Sequence, residues 1–220
     1  MPRAKEVLPR DPAATQKRIL QAAKHEFARS GLGGARVDKI AAKAKSNKRM
    51  LYHYFGNKEA LFRRTLEDAY GDFRRAEAEL NIEADDPVTA LHRLMEFTWS
   101  YYLANPEFIT LVNSENLHKA RHLKASALMD DMNRPFVERM RQLLKRGVAA
   151  GVFRPNLDPV QILIALAGLG FYYLNNRYTG EIVYGREMMT EDALKKRGAF
   201  NVDSILRIVC TPEALSKGSA

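Results

Sequence analysis

The sequence predicts an all-α protein in two parts, a small N-terminal helical domain followed by a larger helical domain. Apolar residues recur at helical spacing along most of the 220 residues, and no segment alternates polar and apolar residues for long. Two further helix starts are indicated where Pro follows an acidic cap, at Asp86-Pro87 and Asp158-Pro159. We expect a flexible basic arm at residues 1–14, a compact helical domain at 15–57 and a second helical domain at 58–220.

The first helix is predicted to start near Thr15, whose side chain can cap it, and to end at Ser30-Gly31. A helix-turn-helix is predicted next. Its first helix carries one apolar stripe at spacing i, i+3, i+4, i+7: Val37, Ile40, Ala41 and Ala44. Its second helix begins at Asn47, a possible N-cap, and turns Leu51 and Phe55 inward. The second helix then presents outward Lys48, Arg49, Tyr52 and His53.

Positive charge is concentrated at the N-terminal end. Residues 1–58 hold 14 of the 35 Lys and Arg but 4 of the 26 Asp and Glu, a net charge of +10, whereas the other 162 residues carry −1. A positive field confined to the helix-turn-helix favours a polyphosphate partner, because each neutralised phosphate releases counterions. The alternatives are a basic face kept for solubility and a non-specific protein that coats nucleic acid. A coating protein would carry basic charge throughout.

The same residues resemble the N-terminal domain of the TetR/AcrR family of bacterial transcriptional regulators. The resemblance rests on Ile40-Ala41 and Ala44, on the run Leu51-Tyr52-His53-Tyr54-Phe55, and on Lys58-Glu59-Ala60-Leu61. It implies sequence-specific binding to a double-stranded DNA operator. Two positions depart from the family pattern: Lys45-Ser46 stands in the turn in place of Gly and an aliphatic residue, and Arg36 replaces a commoner Thr. The expected DNA contacts are Arg36, Lys45, Asn47, Lys48, Arg49, Met50, Tyr52, His53, Tyr54 and Lys58.

Two helices of the second domain carry more apolar surface than one chain needs. One spans residues 162–174 and is apolar all round, and another follows Thr190. The resemblance implies that they form a homodimer seam with the same helices of a second copy. The alternative is that both helices bury within one chain. The predicted interface residues are Ile162, Ile164, Leu166, Leu169, Leu194, Val202, Ile205, Leu206 and Val209.

The resemblance also implies a pocket for a small-molecule effector in the second domain. Met and aromatic side chains suit an adaptable apolar cavity, although at helical spacing they are equally typical of ordinary core. A long helix that begins near Lys58 links this region to the helix-turn-helix. The predicted pocket residues are Met95, Trp99, Tyr102, Phe108, Met129, Phe136, Met140, Tyr172 and Asn175.

Other function classes find little support. His118 and His122 lie four apart, as a metal pair would, but we interpret them as solvated because no Cys or carboxylate completes a set. We expect no metal, no cofactor and no catalytic residues; an enzyme would require paired carboxylates in a cleft of the second domain. Cys210 is the only cysteine, and the longest apolar run is too short to span a bilayer.

The sequence therefore predicts a cytoplasmic transcriptional regulator without a membrane partner. We expect a homodimeric repressor on a palindromic operator, released when a small ligand binds the second domain. The alternatives left open are the nucleic-acid-coating protein and a helical enzyme.

Overall fold

The computed structural model describes residues 11–217. Within this range the chain is helical, and its β pairing is limited to one antiparallel bridge between Phe153 and Cys210. The predicted all-α class is confirmed. A short 3-10 helix occupies Ile82–Ala84, and the α-helices are α1 (Pro12–Gly34), α2 (Val37–Lys43), α3 (Lys48–Phe55), α4 (Lys58–Ala78), α5 (Pro87–Ala104), α6 (Pro106–Leu117), α7 (Arg121–Lys124), α8 (Met129–Ala149), α9 (Pro159–Asn175), α10 (Arg177–Tyr184), α11 (Glu191–Val209) and α12 (Pro212–Lys217).

Helix α1 begins three residues before the predicted start. The Asp11 carboxylate accepts hydrogen bonds from the backbone N–H groups of Ala13 and Ala14, so Asp11 and not Thr15 is the cap. Of the predicted arm, residues 1–10 lie outside the described residues, and residues 12–14 are helical. The predicted end appears as a kink: Gly31 has a φ of 63° inside α1, a left-handed conformation that glycine adopts without a Cβ penalty.

Helices α2 and α3 form the predicted helix-turn-helix. Asn47 caps α3 as predicted, because its side-chain oxygen accepts the backbone N–H of Met50 at 2.8 Å. In the turn, Lys45 adopts a φ of 50°, and its backbone N–H donates to the carbonyl of Ala42. The lysine therefore occupies a left-handed position, at a cost that a glycine would not incur.

Helix α4 connects the two domains. Asn57 caps it by accepting the backbone N–H of Ala60 at 2.8 Å. Its first turns bury Leu61 and Phe62 in the N-terminal core, where the ring of Phe62 meets the ring of Phe27 edge-on at a centroid distance of 5.0 Å. Its later turns pack against α5, α6 and α8. One helix thus packs within both domains.

The second domain packs α5, α8, α9 and α11 around a shared core, with α6 between that core and α1. Asp86 and Asp158 cap α5 and α9, and each is followed by Pro, as predicted. The ring of Phe153 lies so close to α8 that a Cβ on Gly147 would clash with it, which explains the glycine. None of the helices in residues 11–217 is long and apolar enough to cross a membrane.

Candidate functional site

The outward face of α3 carries charge and aromatic rings. Lys48, Arg49, Tyr52 and His53 are exposed, and Leu51 holds the helix to the core from a fully buried position. Because α3 contains no acidic residue, this face is electropositive. An exposed positive helix that follows a tight turn has the shape and charge that the DNA major groove accepts.

Three further predicted contact residues are partly engaged within the domain. The side-chain oxygen of Asn47 is occupied by the α3 cap, which leaves its amide protons available. Met50 and Tyr54 are half-buried, and Tyr54 packs against the core beside the ring of His53 at a centroid distance of 5.4 Å. These residues therefore help to fix the orientation of α3 in the domain, in addition to adding side chains to its exposed face.

Arg36 is paired with an acid. Its Nη2 lies 2.8 Å from Asp38, and this hydrogen bond holds the pKa of the Asp38 carboxyl at about 2. Its backbone N–H donates to Glu26 Oε1 at 3.2 Å, which ties the start of α2 to α1. Because Asp38 lies beside it, Arg36 contributes less positive field than an arginine such as Arg49, which is unpaired within the described residues.

Lys58 reaches back across the N-terminal domain. Its Nζ donates to the carbonyl oxygen of Gly33 at 3.1 Å, between the first turn of α4 and the end of α1. An ammonium group has two further protons, which stay available to an anion. Lys58 is thereby held near the α4 N-terminus, where backbone N–H groups also favour a phosphate.

Lys45→Gly is expected to stabilise the protein by about 0.5–1 kcal/mol, because relief of the left-handed strain exceeds the entropy that glycine adds to the unfolded chain. Lys39→Gly is the matched control. It removes the same charge from an exposed position inside α2 and should destabilise by about 0.5–1 kcal/mol. Urea unfolding measures both, and equal shifts of the midpoint would contradict a strained Lys45.

A cavity of about 550 Å³ lies within the second domain, between α4, α5, α6, α8 and α9. Six aromatic rings line it, together with aliphatic groups and one guanidinium. This composition is typical of small-molecule sites, in which an apolar wall binds and a few polar groups orient. The residues that line it include Tyr70, Phe73, Arg74, Tyr102, Phe108, Val112, Asn116, Phe136, Ile164 and Phe171.

The structure divides the predicted pocket residues. Tyr102, Phe108 and Phe136 line this cavity. Met95 and Met140 are buried in the core instead, and Tyr172 is exposed with its hydroxyl 3.3 Å from that of Tyr184. Met129, Trp99 and Asn175 are also absent from the lining. The predicted set included no residue of α4 and, on α9, named Tyr172 and Asn175 in place of residues such as Ile164 and Phe171, because helical spacing does not reveal which side of a helix borders a void.

Trp99 lines a different cleft, of about 830 Å³, between α5 and α11. Its walls include the charged or polar side chains of His92, Glu96, Lys195 and Asp203. This cleft is larger, but neither of its helices packs against α1, α2 or α3 to an appreciable extent. The aromatic cavity is the better candidate for a site coupled to the N-terminal domain.

Helix α6 joins the aromatic cavity to the N-terminal domain. Phe108, Val112 and Asn116 face the cavity, and the same helix packs extensively against α1. Glu107 on α6 pairs with His25 on α1, with 2.9 Å between Oε1 and Nδ1. A displacement of α6 would therefore change its packing against α1 directly.

The end of α6 packs against a buried histidine of α7, which is a correction to the sequence prediction. His122 was interpreted as solvated, but it is buried, and its Nδ1 lies 2.6 Å from Glu115 Oε2. Glu115 also accepts the backbone N–H groups of His122 and Leu123. The His122 ring meets Phe62 of α4 edge-on at 5.1 Å. The seven-residue separation of Glu115 and His122 gave no signal, because a turn between α6 and α7 brings them together.

The predicted dimer residues need a correction. Ile162, Leu166, Ile205 and Val209 are buried within their own chain and are unavailable to a second copy. Ile164 is exposed, but it borders the aromatic cavity. The remaining predicted interface residues are half-buried: Leu169, Leu194, Val202 and Leu206. For an all-apolar helix the sequence does not specify which side faces the core.

Exposed apolar side chains gather instead around α10. Ile182 is 83% exposed and Val183 72%, and a group of exposed apolar side chains of this kind is typical of an interaction surface. The hydroxyls of Tyr172 and Tyr184 place α9 beside α10, and Arg197 joins α11 to α9 through the carbonyl of Leu169 at 2.8 Å. We call these exposed side chains the α10 patch: Tyr172, Tyr178, Ile182, Val183, Tyr184 and Phe200.

Comparison with known proteins gives a consistent picture. Residues 19–65 match the domain described as bacterial regulatory proteins, tetR family, and residues 87–205 match the tetracyclin repressor-like C-terminal domain. The chain is 39% identical over 165 residues to the HTH-type transcriptional repressor NicS of Pseudomonas putida, covering 75% of this chain and 78% of the relative. It is 35% identical over 159 residues to the HTH-type transcriptional repressor SCO4008 of Streptomyces coelicolor, covering 72% and 79%.

Solved structures agree in fold. The transcriptional regulator SCO4942 of Streptomyces coelicolor superimposes with a TM-score of 0.67 at 24% identity, over 89% of this chain and 98% of that one. The ketosteroid transcriptional regulator KstR2 of Mycobacterium tuberculosis superimposes with a TM-score of 0.65 at 17% identity, over 89% and 95%. Both likenesses extend through the N-terminal and second domains.

Proposed function

Because the chain belongs to the TetR family of bacterial DNA-binding transcriptional regulators, we propose that it is a homodimeric repressor released from its operator by a small molecule. The family is not enzymatic, and its N-terminal domain reads DNA, so neither a helical enzyme nor a non-specific coating protein describes this chain. Repression is proposed because both curated relatives carry that description.

One observation carries the proposed ligand response: two walls of the aromatic cavity are helices that reach the DNA-reading domain. Helix α4 contributes Tyr70, Phe73 and Arg74 to the cavity and starts beside α3, whereas α6 contributes Phe108 and packs on α1. A ligand that fits the cavity better in one arrangement of α4 and α6 will favour that arrangement. If the favoured arrangement misplaces α3, operator affinity falls, and the operator reciprocally weakens the ligand.

The α10 patch supports the proposed homodimer. A two-fold interface uses the same surface on both copies, and a group of exposed tyrosines, isoleucine and valine suits that use. Two copies of α3 can then read two half-sites one helical turn apart. The proposal differs from the sequence prediction in its residues, since it uses α10 with the outer sides of α9 and α11.

Ile182→Glu is expected to convert the dimer to a monomer, because it places two charges in a desolvated interface. Analytical ultracentrifugation measures the change, and operator affinity should fall with it. Leu117→Glu is the control, since Leu117 is equally exposed at 78% but lies at the end of α6. A dimer that survives Ile182→Glu, or dissociates with Leu117→Glu, would move the interface elsewhere.

Selection of bound duplexes from a random pool tests the DNA function as a whole. We expect an enriched sequence with two-fold symmetry, protected over two adjacent major grooves. An enriched sequence without symmetry would contradict the homodimer. Occupancy of the selected operator near a promoter should lower transcription in a purified system, and increased transcription would contradict repression.

A further inference from the structure

Arg74 is the only charged side chain among the described residues that line the aromatic cavity. It projects from α4, the helix that begins at the DNA-reading domain, and its side chain is largely buried. A single charge in an apolar site has a large influence on which ligands enter, because a buried ion discriminates strongly by sign.

Part of the Arg74 guanidinium is held in place by neighbours. Nε donates to Asn133 Oδ1 at 3.1 Å, Nη1 donates to Glu77 Oε2 at 2.8 Å, and the guanidinium carbon lies 3.5 Å from the centre of the Phe136 ring. Within residues 11–217, Nη2 has no hydrogen-bond acceptor. The group is therefore fixed in orientation while one nitrogen keeps its donors free.

The surroundings of Arg74 do not neutralise it fully. Glu77 is buried and serves two arginines, because its Oε1 also accepts from Arg139 Nη2 at 3.0 Å. Because two arginines share one carboxylate, the group formed by Arg74, Arg139 and Glu77 carries a net charge of one positive unit. Burial lowers the pKa of Arg74 and raises that of Glu77, which reflects the cost of keeping these charges away from water. A further anion at Arg74 would offset part of that cost.

The rings of the cavity favour a flat ligand. Phe73, Tyr102 and Phe108 are nearly parallel, with interplanar angles of 19–25° and centroid distances of 5.5–6.0 Å. Tyr70 meets Phe108 edge-on at 5.3 Å. Aromatic pairs prefer such offset or edge-on arrangements, so a further ring can extend the set. Asn116 supplies an amide that can orient a polar substituent.

We propose that the effector of this cavity is a small aromatic carboxylate, whose ring packs against the set formed by Phe73, Tyr102 and Phe108 and whose carboxylate pairs with Arg74. The inference rests on the proposed function only in taking this cavity as the effector site. Arginine matches a carboxylate through charge-assisted hydrogen bonds, which are stronger than neutral ones. A cationic ligand would be repelled by the guanidinium, and a fully aliphatic ligand would not extend the set of rings.

Calorimetry on the full chain without DNA tests the ligand class. The probes are benzoate and 2-naphthoate, their neutral amides, cyclohexanecarboxylate and benzylamine. We expect at least one aromatic acid to bind at least tenfold more tightly than its amide, cyclohexanecarboxylate to bind more weakly, and benzylamine not to bind. Equal affinity of acid and amide, preference for the amine, or no binding of either aromatic acid at millimolar concentration would overturn the proposal.

Variants assign the preference to Arg74. Arg74→Gln should abolish the tenfold preference for the acid while leaving Glu77 paired with Arg139. Arg75→Gln is the matched control, since Arg75 lies on the same helix, is exposed and pairs with Asp72. A preference that persists in Arg74→Gln would overturn the assignment. If that variant fails to fold, the comparison of acid and amide on the unaltered chain still decides the ligand class.

Operator release, measured in parallel by fluorescence anisotropy, separates the two proposals. An aromatic acid that binds but leaves operator affinity unchanged would contradict the ligand-released repressor and leave the ligand class intact. Release by a neutral compound, with no binding of the aromatic acids, would contradict the ligand class and leave the repressor intact.

Discussion

Arg49→Ala is expected to weaken binding to the selected operator by roughly 5- to 150-fold per half-site, the equivalent of about 1–3 kcal/mol. Arg49 is exposed near the start of α3 and has no hydrogen bond or ion pair within the described residues, so it is free to pair with the acceptors of a guanine. The sequence preference should relax at one base pair in each half-site. Repeating the duplex selection with the variant measures both effects.

Lys58→Ala supplies the contrast. Its ammonium is held near the α4 N-terminus by Gly33, which suits contact with a phosphate and not with a base edge. Affinity should fall alike for all duplexes, and the dependence on salt should lose about one ion per subunit. Arg49→Ala with an unchanged preference, or Lys58→Ala with a sequence-selective loss, would reverse the two roles.

Trp99→Ala is expected to destabilise the protein by about 3–5 kcal/mol, the usual cost of removing a large buried aromatic side chain. The indole is 7% exposed and fits closely against α11, where a Cβ on Gly198 would lie 3.0 Å from Cδ1 and Nε1. It also meets Tyr173 edge-on at 5.9 Å. Urea unfolding followed by circular dichroism measures the loss, since the only tryptophan is removed.

The same variant distinguishes a core residue from a ligand contact. Operator binding should fall only in proportion to unfolding, and any ligand response should persist in the folded fraction. Trp99→Phe keeps a ring at this position and should lose less stability. A folded Trp99→Ala variant of normal stability with a weakened ligand response would contradict the core role and support the sequence prediction that Trp99 contacts the effector.

The DNA-reading domain was predictable because its determinants are local. A stripe such as Ile40, Ala41 and Ala44 specifies one helix face, and an Asn at position 47 can cap only the helix that follows it. The exposure of Lys48, Arg49, Tyr52 and His53 follows from the burial of Leu51 on the same short helix. Even the strained turn at Lys45 was visible as a departure from the pattern of the family.

The second domain shows what the sequence leaves open. Its helices at 159–175 and 191–209 were recognised, but Ile162 and Ile205 were assigned outward, although both are buried. The two aromatic residues Phe108 and Trp99 have the same character in sequence, yet they border different spaces.

By itself, the sequence determined the helical class, the helix-turn-helix, the confinement of positive charge to it and the caps at Asp86 and Asp158, since each depends on residues within a few turns of one another. Only the tertiary structure decided which apolar faces are buried, how Arg74 comes to border an aromatic cavity, and how Glu115 meets His122. These features depend on the packing of helices that are distant in sequence, and hydrophobic burial is non-directional, so many packings satisfy one apolar pattern.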